Sequence, residues 1–235
     1  MIRSHRIIIY VIAIIIITGL LIYGSLVLNG NNYYLISTGI ILTALISGMI
    51  SFEKGRPTAA YLTSIVVFVA LAVGSRCLFA FIPQVKPVAA VVILAGVLLG
   101  SQAGFMVGSL SMFLSGFYFM QGAWTPYQMV AMGIVGFLAG AFFGKKHFKS
   151  ERVRVVLMAV YGFFAVFIIY GLIVDINSVF FTLGNDITLS GVLTVYATAL
   201  PFDLVFALTT AITLLIISYP ITKRWARIQK KYDFS

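Results

Sequence analysis

Long runs of Val, Ile, Leu, Ala, Phe and Gly occupy residues near 6–28, 34–51, 58–82, 87–100, 102–119, 126–144, 154–174 and 191–220, with short polar or charged breaks between them. Most approach the roughly 20 apolar residues that a helix needs to cross a bilayer. They lack the alternation of barrel strands, and only helices or closed barrels satisfy backbone polarity in lipid. The pattern predicts an all-α, polytopic membrane helix bundle of eight transmembrane helices. The first run is longer than a signal-peptide core, and Asn29-Gly30-Asn31-Asn32 after it lacks a small-residue cleavage pattern, so a retained helix is expected.

One step needs a second criterion. Val88 to Phe119 reads either as one long helix or as a tight pair broken at Gly100-Ser101-Gln102-Ala103-Gly104. Counted as two spans, four basic groups fall on one side: Arg3 and Arg6; Lys54 and Arg56; Lys145, Lys146, Lys149, Arg152 and Arg154; and Lys223, Arg224, Arg227, Lys230 and Lys231. Counted as one, the loop at 145–154 lies opposite the N-terminus, against the tendency of basic loops to stay inside. Two spans and cytoplasmic termini are therefore expected. The outer loops become Asn29–Tyr33, Pro83–Pro87, Met120–Thr125 and Asp175–Ser190. The chain divides into 1–56, two additional N-terminal helices; 57–222, a six-helix core; and 223–235, a basic cytoplasmic tail.

Composition fits this picture. Hydrophobic residues make up 61% of the 235 and charged residues 9%, against about 45–50% and about 25% in soluble domains. The net charge of +10 sits in short loops, where it signals topology rather than a nucleic-acid-binding face. A single cysteine, Cys77, excludes an intramolecular disulfide. Gly140 to Lys146, GAFFGKK, has the wrong glycine spacing for a phosphate-binding loop, so no ATPase is expected. His5 and His147 fall on the cytoplasmic side, leaving no outer imidazole as metal ligand or base. No Ser-His-Asp set or HExxH motif is present. The reading is a non-enzyme with no catalytic residues, no metal site and no cofactor.

Two ionisable groups interrupt apolar runs: Arg76 in LAVGSRCLFAF and Asp203 in ALPFDLVFAL. Each costs about 2.5–3.5 kcal/mol at a helix centre, which makes a functional role the default. By helical rise they lie roughly 9 and 18 Å below their outer ends, near enough in depth to share one cavity. The alternative is that Arg76 snorkels to the surface and Asp203 forms a buried pair or caps backbone loosened by Pro201. Gln84, Lys86, Gln121, Trp124, Thr125, Tyr127 and Gln128 gather at the mouth. Trp124 alone suits an interfacial anchor; together these residues suit a large, uncharged, amide-rich ligand. Thr125, before Pro126, is expected to cap the next helix. Small residues at four-residue spacing, Gly100, Gly104 and Gly108 and then Gly136, Gly140 and Gly144, permit close helix approach, either within the bundle or onto another subunit.

The run RCLFAFIPQVKPVAAVVILAGVLLGSQAGFMVGSLSMFLSGFYFMQGAWTPYQMVAMGIVGFLAGAFFG, Arg76 to Gly144, resembles the substrate-binding S components of energy-coupling factor (ECF) transporters, which import vitamins. PFDLVFALTT, Pro201 to Thr210, extends the resemblance to about 58–222. IPQVKP, the glycine-spaced short helices, a WTPxQM-type segment and PFDL carry it, and it is closest to the cobalamin-specific type. The resemblance implies a bacterial plasma-membrane protein that takes cobalamin as transported substrate under the loops Pro83–Pro87 and Met120–Thr125. It also implies partners: an ECF module with a transmembrane coupling subunit and two ATPases, on which the S component docks and topples. The family's AxxxA docking pattern has its nearest match at Ala70-x-x-x-Gly74, with Val66 one turn earlier.

Two competitors remain. One is a self-sufficient ion-coupled carrier working through Asp203, although no internal repeat supports it. The other is an assembly subunit whose mouth residues are interface anchors. An S component for another vitamin is a variant of the leading reading.

Overall fold

The computed structural model describes residues 58–144, 150–184 and 186–232, and in the N-terminal part only 12–13, 15–23, 38–39 and 42–43. Six helices follow Thr58: α1 Ala59–Leu78, α2 Val88–Leu99, α3 Ser101–Phe119, α4 Thr125–Phe143, α5 Glu151–Leu183 and α6 Leu189–Tyr232. Among the described residues, α1, α4, α5 and α6 are long and apolar enough to cross a membrane, and α2 is a shorter apolar helix. Most of the two N-terminal runs lies outside the described residues, as do Arg3, Arg6, His5, Lys54, Arg56 and the loop 145–149 with His147. Ile17 is nevertheless buried in the core cluster, with Leu20 and Leu21 packed against it, so the segment 15–23 lies on the bundle.

The break between α2 and α3 falls at Gly100, whose φ of 102° suits a residue without Cβ. Splitting the run there gives two helices, as the charge argument requires. Thr58 starts α1 and Ser150 starts α5, each accepting a backbone N–H with its hydroxyl.

At the centre stands α2, buried continuously from Val88 to Val97. At about 18 Å it is too short to cross a bilayer, and it packs against α1, α3, α4 and α6. Its final carbonyls lack helical partners; the Tyr61 hydroxyl donates to Leu99 O at 3.0 Å and ties the start of α1 to the end of α2.

The small-residue spacing is used inside the bundle. A Cβ on Gly104 would overlap the Gly136 carbonyl, one on Gly108 the Met132 carbonyl, and one on Gly140 the Ser101 backbone. These positions bring α3 and α4 into backbone contact, as small residues do in membranes. Gly74 differs, since nothing lies within 4 Å of its would-be Cβ.

Two boundaries depart from the sequence reading. α5 runs on to Leu183 and includes Asp175, which is buried rather than part of an outer loop. The loop shrinks to the residues between Leu183 and Leu189. A turn of π-helix at Ala165–Tyr170 lies within α5. α6 carries Pro201 and Pro220 inside the helix and continues past Thr222, so the basic tail as far as Tyr232 is helical.

Candidate functional site

The loops 79–87 and 120–124 lie at one end of the bundle, the mouth, together with the end of α5 and the start of α6. Both hold a non-glycine residue in the left-handed region, Gln84 at φ 57° and Met120 at φ 70°, and these are the only two such residues among those described. Backbone strain of this kind persists only where surrounding structure enforces it, and it clusters at ligand clamps.

Arg76 anchors one wall. It is 6% exposed, so it does not snorkel. Nη1 donates to Ser115 Oγ at 2.5 Å and Nη2 to Gln128 Oε1 at 3.2 Å. Ser115 passes the polarity on by donating to Met112 O. The guanidinium also sits 4.7 Å from the centre of the Phe119 ring, and Lys86 Nζ lies 5.0 Å from the same ring. Cation–π contact and neutral hydrogen bonds offset part of the desolvation cost. No carboxylate pairs with either cation: among the described residues the sole ion pair is Arg154 with Glu151, at 3.8 Å. Lys86 is outside the crossing helices, and burial, reinforced by the nearby Arg76 charge, pushes its ammonium below the usual lysine range.

The loop residues mostly shape this wall. Gln121 Nε2 donates to Phe113 O at 2.7 Å, locking the loop to α3, while its Oε1 is buried without a partner among the described residues. Thr125 does not cap α4; the helix begins at Thr125 itself, and its Oγ1 accepts from Gly122 N–H at 3.1 Å, closing the preceding turn. Trp124 is 37% exposed, and its ring covers Gly122, where a Cβ would collide with it. Tyr127 is buried, and Gln84 is half-buried.

A second polar group lies on α5 and α6. Asp203 on α6 does not meet Arg76. Its carboxyl lies against α5, where a Cβ on Gly171 would come within 2.9 Å of Oδ2, one turn before Asp175. Tyr170 is 8% exposed, with its ring edge-on to Phe206 at 5.2 Å.

The structure thus joins Arg76, Lys86 and Gln128, and sets Asp203 apart, against a stretch of α5 whose Asp175 sequence reasoning placed in a loop. Ser115, Phe119, Tyr170 and Asp175 were missed. A polar, aromatic-lined mouth of this kind can hold a neutral heterocycle through its carbonyl oxygens.

Val66, Ala70 and Gly74 lie along an open face of α1. Val66 is 66% exposed and Ala70 is exposed.

Compared with known families, residues 59–226 match the one described as "ECF-type riboflavin transporter, S component". No curated protein and no solved structure matches the chain.

Proposed function

The chain belongs to this family of ECF-type S components, and on that premise we propose that its transported substrate is riboflavin or a close flavin. A member of the family is a multi-pass membrane protein that serves as the substrate-binding subunit of an ECF transporter. It is not an enzyme, and it works with a module made of a transmembrane component and ATPases.

The observation that carries the flavin reading is the wall of Arg76, Gln128, Lys86 and Phe119. It offers cationic and amide donors beside an aromatic face, with no acid to neutralise them. An isoalloxazine ring presents carbonyl oxygens along one edge and a broad π surface, the complement of that wall. The buried, unpartnered Oε1 of Gln121 supplies an acceptor for a ring N–H.

The cobalamin expectation rested on resemblance alone, and the matching family's description names riboflavin instead. The mouth is taken to face outward with the termini in the cytoplasm, and the open face of α1 at Val66, Ala70 and Gly74 to dock on the coupling subunit.

Flavin fluorescence tests this reading. The purified full chain, titrated separately with riboflavin and cobalamin, should quench riboflavin emission at stoichiometric protein and show no retained corrinoid colour. Retained corrinoid with no flavin quenching would restore cobalamin.

A further inference from the structure

The end of the bundle opposite the mouth carries two basic groups: Arg152 and Arg154 open α5, and Lys223, Arg224 and Arg227 lie near the close of α6. A Cβ on Gly171 would meet Asp203 and one on Gly162 would meet Leu214, so the two helices run antiparallel. Continued along both, that pairing puts Arg154 level with the turn at 222–225. Glu151 is the one acid described at this end, 3.8 Å from Arg154. Arg154 Nε is nevertheless buried with no hydrogen-bond partner among the described residues.

α6 is longer than a bilayer is thick. Its 44 residues extend about 66 Å at helical rise. Tilted by even about 40°, it rises about 50 Å, against about 40–45 Å for a bilayer with its headgroups. Lys223 is the first charged residue after Asp203, and the stretch between them exposes Leu208, Ile212, Leu215 and Ile216. Those side chains fix the helix in hydrocarbon, so its basic end falls among the headgroups.

The last turns are two-sided. Ile221, Trp225 and Ile228 recur at spacings of four and three, one stripe of a helix. Ile221 and Trp225 pack against the core, and the Trp225 ring meets Phe68 of α1 edge-on at 6.0 Å. Lys223, Arg224 and Arg227 lie off this stripe and are all exposed. The Lys223 ammonium is 5.8 Å from the centre of the Tyr219 ring, itself exposed. Tyrosine and tryptophan beside cations suit the boundary between hydrocarbon and headgroups. From there α6 continues through Lys230 and Lys231 to Tyr232 without an acid.

We propose that this face binds anionic phospholipid headgroups, with Lys223, Arg224 and Arg227 on the lipid phosphates and Arg152 and Arg154 at the same level on α5. A cluster of cations next to a spanning helix attracts an anionic leaflet, and phosphate oxygens supply the acceptors that these side chains lack within the described chain. Lipid fits better than an acidic protein surface because the cations stand at headgroup depth, directly after lipid-facing Ile212, Leu215 and Ile216. Trp225 fastens the surface to α1, so the lipid contact belongs to the body of the bundle. None of this depends on which substrate fills the mouth.

The chain has two tryptophans, so Trp124→Phe leaves Trp225 as the sole reporter. The full chain is placed in nanodiscs in which either phosphatidylglycerol or phosphatidylcholine carries brominated acyl chains, which quench tryptophan. Phosphatidylglycerol should be favoured beside Trp225 by about fivefold or more, the effect of one charge at an anionic surface. Lys223→Gln, Arg224→Gln and Arg227→Gln combined should bring that ratio to about one, whereas Arg224→Lys with Arg227→Lys should hold it within about twofold of the parent. Arg227→Gln alone should lower the ratio, and it keeps the test open if the triple variant does not insert.

Equal selection of the two lipids in the parent protein overturns the proposal, as does a preference that survives the glutamine substitutions. A loss in the lysine variant matching that in the glutamine variant also overturns it, since charge is then not what selects the lipid. So does a triple variant that keeps the lipid ratio but no longer co-purifies with the coupling subunit, which assigns the face to a protein.

Discussion

The guanidinium of Arg76 donates to the side-chain oxygen of Gln128 across 3.2 Å, joining the last turn of α1 to the first turn of α4. The same guanidinium holds Ser115 of α3 and covers Phe119. One side chain therefore sets the spacing of three helices at the mouth.

Arg76→Lys should fail to preserve binding. A lysine is a point donor that cannot hold two acceptors in a planar fork while lying over a ring. The riboflavin Kd should rise by about tenfold or more, the effect of a lost charged hydrogen bond, while the protein stays monodisperse on size exclusion. Full affinity in Arg76→Lys would remove the fork from the site.

Gly136→Ala should destabilise the bundle by about 1–3 kcal/mol, the range for overpacking a tight interior. The added methyl would collide with the Gly104 carbonyl, and backbone cannot rotate away as a side chain can. A thermal melt in detergent reads the loss. A melting temperature equal to wild type would mean that α3 and α4 are less tightly apposed than described.

Gly74→Leu separates folding from assembly. Its Cβ meets nothing within 4 Å, so stability and flavin affinity should stay near wild type. Co-purification with the coupling subunit should fall sharply if this face of α1 docks there. Undiminished co-purification would move the docking surface elsewhere.

Lys86 gives a pH dependence with a definite sign. Its ammonium is held below the ordinary lysine range by burial and by Arg76. The unfolded chain thus keeps this proton to higher pH than the folded one. The buried charge penalises the folded state below the folded value, and the penalty is relieved as pH rises through that value toward the ordinary one. Lys86→Met should remove this alkaline gain. Melting temperatures of both proteins from about pH 7 up to the ordinary lysine range check it; a gain that survives the substitution would exonerate the lysine.

Much of the architecture was legible because lipid leaves few choices. Apolar runs, a glycine pair able to turn the chain at Gly100, and small residues at four-residue spacing correspond to helices, a break and a close crossing. Arg76 stood out because charge is rare inside such runs. Asp175 did not, because Asp175-Ile176-Asn177-Ser178 reads as a loop when no partner is in view. Asp203 is on the next helix, and sequence spacing does not announce that it will lie against this part of α5. Tyr170 looked like one more aromatic in an apolar stretch, and a π turn has no signature in residue type. Thr125 misled for a different reason: a threonine before proline suits a cap, yet here the helix starts on the threonine and its hydroxyl serves the turn behind it.

The buried course of α2 has a mechanical corollary. Its neighbours screen this helix from Val88 to Val97, so acyl chains never touch it. Should the molecule change its tilt in the bilayer, only the surrounding shell would trade one set of lipid contacts for another. The interior would ride along unrepacked, like an axle inside a turning wheel.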